Sequence, residues 1–87
     1  MYFVYAILSV NKNFIYVGLT DHVIRRYHQH NKGYEKSTKS FAPFILIFSI
    51  ECKDRIEARK FEKHYKTANG KRKLKVVAQS FRSCGPV

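Results

Sequence analysis

Residues 2–18, YFVYAILSVNKNFIYVG, decide the fold. Tyr2–Ser9 is dense in β-branched and aromatic side chains without polar alternation, which predicts a strand buried on both faces. Asn11-Lys12-Asn13 is a polar turn and Phe14–Gly18 a second strand, so the pair reads as a hairpin. Gly18 ends it, and Thr20 or Asp21 is placed to cap a helix. That helix is expected to run to about Asn31 and to stop at Gly33, because glycine closes a helix at little conformational cost.

Working outward, Tyr34–Pro43 is a basic polar loop, and Phe44–Ile50 (FILIFSI) a third strand apolar enough for the centre of a small sheet. Asp54 can cap a second long helix, with Glu57 three residues on reaching back as a capping box. The helix should reach about Ala68 and end at Asn69-Gly70. The remainder is basic, with room for a short helix over Leu74–Ser80. The expected class is α/β, an α+β sandwich. A small three-stranded mixed sheet has flanking helices in the order β-β-α-β-α, plus the short C-terminal helix.

Composition narrows what such a domain does. Its 87 residues make one domain, which should remove only about 60% of the unfolded chain's surface from water. Hydrophobic residues at 45% and aromatics at 15% can build that core without staples. Lys and Arg number 17 against 6 Asp and Glu, a net +11 that favours a polyanionic partner. Cys52 and Cys84 lack metal-site spacing and are expected as reduced thiols. Neither a leader pattern nor a run of roughly 18 apolar residues appears, so a cytoplasmic protein with no membrane partner is expected.

Helical periodicity sorts the polar side chains. At about 100° per residue, Val23, Ile24 and Tyr27 form the apolar stripe of the first helix. Arg26 and His30 stand on its shoulder, four residues apart, while Arg25 points to solvent. In the second helix Ala58, Phe61, Tyr65 and Ala68 make the stripe, and Glu62 lies at its edge among cations. The plain alternative for Glu62 is an ion pair with Lys66, one turn on. Tyr5 and Tyr16 can likewise be rim tyrosines of a sheet, and His30 a histidine at a helix end.

These residues also resemble the GIY-YIG nuclease family, in particular small stand-alone members akin to the N-terminal nuclease domain of the family's excinuclease members. Phe3-Val4-Tyr5 stands where the family has Gly-Ile-Tyr, and Tyr16-Val17-Gly18 where it has Tyr-Ile-Gly. Arg26 follows ten residues after Tyr16, His30 four further on, and Glu62 closes the segment Glu57–Glu62. Phe3 replaces the usual glycine, and Leu19 a lysine carried by some relatives. The resemblance marks 1–76 as the nuclease-like domain and 77–87 as a basic C-terminal tail.

The resemblance implies a catalytic set of Tyr5, Tyr16, Arg26, His30 and Glu62. Glu62 would be the protein carboxylate on one Mg²⁺ or Mn²⁺, an ion that keeps much of its water shell. Tyr16 would be the general base, which needs cations nearby because a free phenol has a pKa near 10. Arg26 would stabilise charge on the phosphoryl oxygens. Tyr5 would orient phosphate or water, and His30 would assist in proton handling or phosphate contact.

The residues alone mark Lys32, Lys36, Thr38 and Lys39 as one backbone grip and Lys71, Arg72 and Lys73, with Lys75, as another. Tyr34 and Phe41 are candidate stacking platforms. The expected function is metal-dependent hydrolysis of phosphodiesters in branched, damaged or single-stranded DNA. A targeting protein or a second copy of the chain would supply selectivity. A non-catalytic nucleic-acid-binding module of the same fold is the alternative, and a small RNA-binding or assembly protein is supported by charge alone.

Overall fold

The computed structural model describes residues 1–83, with side chains through Phe81. Its elements are β1 (Tyr2–Ser9), β2 (Ile15–Thr20), α1 (Val23–Asn31), a 3₁₀ turn at Lys39–Phe41, β3 (Phe44–Cys52), α2 (Arg55–Lys66) and α3 (Ala68–Ser83). The expected hairpin forms, with Tyr5 opposite Gly18 and Ile7 opposite Tyr16. The strand order is β2-β1-β3, and both pairings are antiparallel.

Two expectations about the sheet are corrected. It is antiparallel throughout, not mixed, because α1 returns the chain to the Ser9 end of β1. There β3 starts, with Phe44 paired to Ser9, and runs back beside it. β1, not β3, is central. β3 is apolar because both its faces are partly covered, although one of its edges is free. A register shift between Ala6 and Ile7 inserts one extra residue into β3.

Strand alternation divides β1 between two clusters. Val4, Ala6 and Leu8 pack with Val17, Ile47, Ala58, Leu74 and Ala78 beneath α2 and α3. Tyr5 and Ile7 pack with Phe44, under Val23, Tyr27 and Phe41 on the α1 side.

The helix ends also differ from expectation in part. His22, not Thr20 or Asp21, caps α1, its Nδ1 accepting from Arg25 N at 3.2 Å. Thr20 instead holds the preceding turn, accepting from His22 N. Gly33, at φ +79, closes α1 as expected. Ile24 is 54% exposed and lies outside the buried stripe. Asp54 and Glu57 do cap α2, accepting from Glu57 N at 2.9 Å and Lys53 N at 3.1 Å.

Asn69-Gly70 does not terminate α2. α2 ends at Lys66, and Gly70 sits buried in the first turn of α3, where a Cβ would collide with the His64 carbonyl oxygen. Close approach of two helices, not a left-handed turn, requires glycine there. Thr67 joins the pair, its Oγ1 accepting from Gly70 N at 3.2 Å. The short helix expected over Leu74–Ser80 is thus the middle of a 16-residue helix anchored by Leu74 and Ala78. Of the expected tail, 77–83 continues α3, and 84–87 with Cys84 lies outside the described residues. Cys52 is a buried free thiol.

Candidate active site

Four of the five expected side chains converge on the α1 side of the sheet. Tyr5 and Tyr16 project from adjacent strands, their ring centroids 6.3 Å apart. His30, fully buried, comes down from the last turn of α1 with its ring 5.0 Å from that of Tyr16. Burial beneath α1 takes it well beyond the shoulder position that periodicity assigned. Tyr5 Oη lies 2.8 Å from His30 Nε2, and His30 Nδ1 lies 2.9 Å from Thr38 Oγ1.

Proton counting gives this chain a direction. Thr38 Oγ1 donates to the Glu35 carbonyl oxygen at 3.4 Å, and a hydroxyl has one proton. Nδ1 of His30 therefore carries hydrogen and donates to Thr38, which leaves Nε2 bare to accept the Tyr5 hydroxyl proton. Burial, reinforced by the Arg26 charge, lowers the His30 pKa and keeps the ring neutral as this arrangement needs. Burial also pushes Tyr5 up to about 12, with Tyr16 adding to the shift and Arg26 opposing it. The Arg26 guanidinium stands close enough to the Tyr5 oxygen to oppose that rise.

Arg26 is held from its far side. Its Nη2 donates to Glu35 Oε2 at 2.8 Å, and its Nη1 to Gln29 Oε1 at 3.2 Å. The contact with Arg26 in turn holds the Glu35 carboxyl below its ordinary range. Arg25 makes an exposed pair with Asp21, as a solvated charge should. Glu35 is the part that sequence reasoning missed, and Thr38 was singled out for a different role. Their signal was an acid and a hydroxyl inside an otherwise basic loop.

Gly18 matters by lacking a side chain. A Cβ there would stand 2.6 Å from Tyr5 Oη, so the phenol lies over Gly18, toward the free edge of β2. The Tyr16 hydroxyl makes no hydrogen bond to protein among the described residues.

Glu62 is placed differently. It is 8% exposed on α2, which packs against β1 and β2 from the opposite face. Its oxygens accept from Arg59 Nη1 at 3.4 Å and Lys66 Nζ at 3.3 Å, so the plain ion-pair alternative is present. No hydrogen bond or ion pair joins it to the tyrosines among the described residues. Nor do three or more His, Cys, Asp or Glu side chains gather there into a metal cage. One carboxylate fits a hard, mostly hydrated ion such as Mg²⁺ and does not fit a closed zinc site.

The expected surface contacts divide. Lys32, Lys36, Lys39, Lys71, Arg72 and Lys73 are exposed. Thr38 is corrected: it is fully buried with its hydroxyl committed to His30, so it cannot track a nucleic-acid backbone. Phe41 stacks on Phe14, centroids 3.9 Å apart at 16°, with Lys12 Nζ 5.1 Å above it. Its face is therefore occupied, whereas Tyr34 is 70% exposed. No helix among the described residues is long and apolar enough to cross a membrane.

Two phenols, an arginine and a buried histidine on this β-β-α-β-α-α frame agree with comparison by sequence. The profile of the GIY-YIG catalytic domain matches residues 1–75, and the chain belongs to the GIY-YIG family, with a nuclease-type domain. It is also 33% identical over 81 residues to UPF0213 protein DP2720 of Desulfotalea psychrophila, across 91% of this chain and 73% of that protein. No solved structure matches the chain.

Proposed function

We propose that this chain is a metal-dependent DNA endonuclease that hydrolyses phosphodiester bonds in branched, damaged or single-stranded DNA. The observation that carries the reading is the hydrogen-bond chain Tyr5–His30–Thr38 with the Arg26 charge beside it, assembled from β1, α1 and the following loop. A merely structural tyrosine would not need a guanidinium fixed beside its oxygen.

In this reading the scissile phosphate lies at the β2 edge over Gly18, where Arg26 presents its fork to the phosphoryl oxygens. Arg26 stabilises the charge that grows there, with Glu35 keeping it oriented. Tyr16, its hydroxyl free of protein partners, takes a proton from the attacking water as it gives its own up to solvent. Tyr5 aims lone pairs outward because its own proton points at His30, so it orients that water as an acceptor. A new phosphorus–oxygen bond forms as the bond to the leaving oxygen breaks, and the leaving oxygen takes a proton from solvent water. Glu62 would hold Mg²⁺ or Mn²⁺, which when bound supplies charge neutralisation at the phosphate. α2 packs against β2 from the other face, so Glu62 would have to reach the phosphate around the edge of that strand. The exposed lysines and Arg72 hold the backbone without reading sequence.

The test is cleavage of labelled single-stranded, flap and duplex DNA with Mg²⁺ or Mn²⁺, by the parent and by Glu62→Gln. Parent activity that is lost in the variant, with DNA binding retained, is the expected result. Equal, metal-independent inactivity at near-stoichiometric protein would establish the non-catalytic binder instead. The ion pairs of Glu62 with Arg59 and Lys66 are what that second reading predicts.

A further inference from the structure

The α1 side of the sheet is roofed at one end and open at the other. The row Tyr16–Ile7–Leu46 lies under Val23, Tyr27 and Phe41. Two positions along, the row Gly18–Tyr5–Ser49 already has Ser49 exposed. The next row is Thr20–Phe3–Glu51, in which Glu51 is exposed and Phe3 and Thr20 are half-buried.

Strand alternation puts Phe3 on the same side as Tyr5. Its ring packs with neither buried cluster and pairs with no other ring among the described residues. A phenylalanine therefore lies beside the phenol of the site without serving the core.

We propose that Phe3 is a stacking platform for an unpaired nucleobase whose adjoining phosphate sits at Tyr5 and Arg26. The inference rests on the endonuclease reading and names its substrate feature. Phe3 and Tyr5 stand about 7 Å apart along the strand, a span one nucleotide bridges from base to phosphate. A base within a duplex has both faces stacked; an unpaired or displaced one offers a face to an aromatic ring on a sheet. Phe41, already stacked on Phe14, cannot serve.

The chain has no tryptophan, so Phe3→Trp introduces a single indole at the platform. Emission and anisotropy are measured together in metal-free buffer, where cleavage is blocked, with labelled oligo-dT and a blunt duplex. Quenching by oligo-dT but not by the bound duplex is expected. So is a loss in oligo-dT affinity of about 5-fold or more for Phe3→Leu, with duplex affinity unchanged. Unchanged emission with oligo-dT bound, equal losses on both DNAs, or no oligo-dT binding by the parent overturns the proposal. Selective quenching with a parent that never cleaves would sink the nuclease reading and leave this one standing. Parent cleavage with a silent indole would do the reverse.

Discussion

β1 serves two different chemistries on its two faces. Toward α2 and α3 it offers Val4, Ala6 and Leu8, a dry surface with no polar atom to satisfy. Toward α1 it offers Phe3, Tyr5, Ile7 and Ser9, where a phenol, a histidine and a threonine share one hydrogen-bond chain. The first face gains stability from packing alone. The second places polar groups in low dielectric, where each must be paired and where each pairing shifts a pKa. One strand thereby separates holding the fold from lining the candidate site.

The sharpest way to break this division is Arg26→Ala. Removing a donor aimed at developing charge should lower cleavage about 10²–10³-fold. The midpoint of thermal unfolding should barely move, because the guanidinium is part-exposed. A large stability loss would merge the two roles. Leu8→Ala is the converse on the dry face, with an expected loss of about 2–5 kcal/mol in urea unfolding. Cleavage per folded molecule should persist well below the unfolding temperature.

Tyr5→Phe probes the boundary. It leaves the bare Nε2 of buried His30 without its donor, at about 1–3 kcal/mol. A neutral result would mean that this hydrogen bond contributes nothing to stability. Acid sharpens the same point. The folded pKa of His30 lies below its ordinary 6.5, so the unfolded chain takes up that proton first. Stability therefore rises with pH through this window and is lost as pH falls below about 6.5, by at most about 1.4 kcal/mol per unit. Unfolding midpoints between pH 5 and 7.5 should show a shallower slope in His30→Gln. Glu35 does not confuse the test, since its depressed carboxyl acts only below about 4.5. Arg25→Ala, an exposed ion pair on the outer side of α1, should change stability by under about 0.5 kcal/mol.

Much of the architecture was legible because local rules govern it. The hairpin, the stop at Gly33 and the Asp54–Glu57 cap each depend on a few neighbouring residues. So did the separation of Arg26 from Arg25, since one helical turn decides it. What failed was non-local. Gly70 looks like a helix stop until α3 is seen crossing α2 against it. Thr38 reads as a loop hydroxyl until a histidine eight residues earlier claims it. That Glu62 approaches from the face opposite the tyrosines depends on sheet order, which no periodicity within α2 encodes. β3 read as central because apolar content reports how many faces are covered, not how many edges are paired.

The extra residue in β3 has a consequence for how this chain tolerates insertions and deletions. Past it, Phe48 and Ile50 point into the dry layer while Ser49 and Glu51 point out. Ile47 has no partner on β1, so deleting it would close the bulge with Leu46 still opposite Ile7 and Phe48 still opposite Ala6. Ser49 and Glu51 would keep their outward facing. Homologous chains one residue shorter at this point should therefore keep the same pairing on both sides of it.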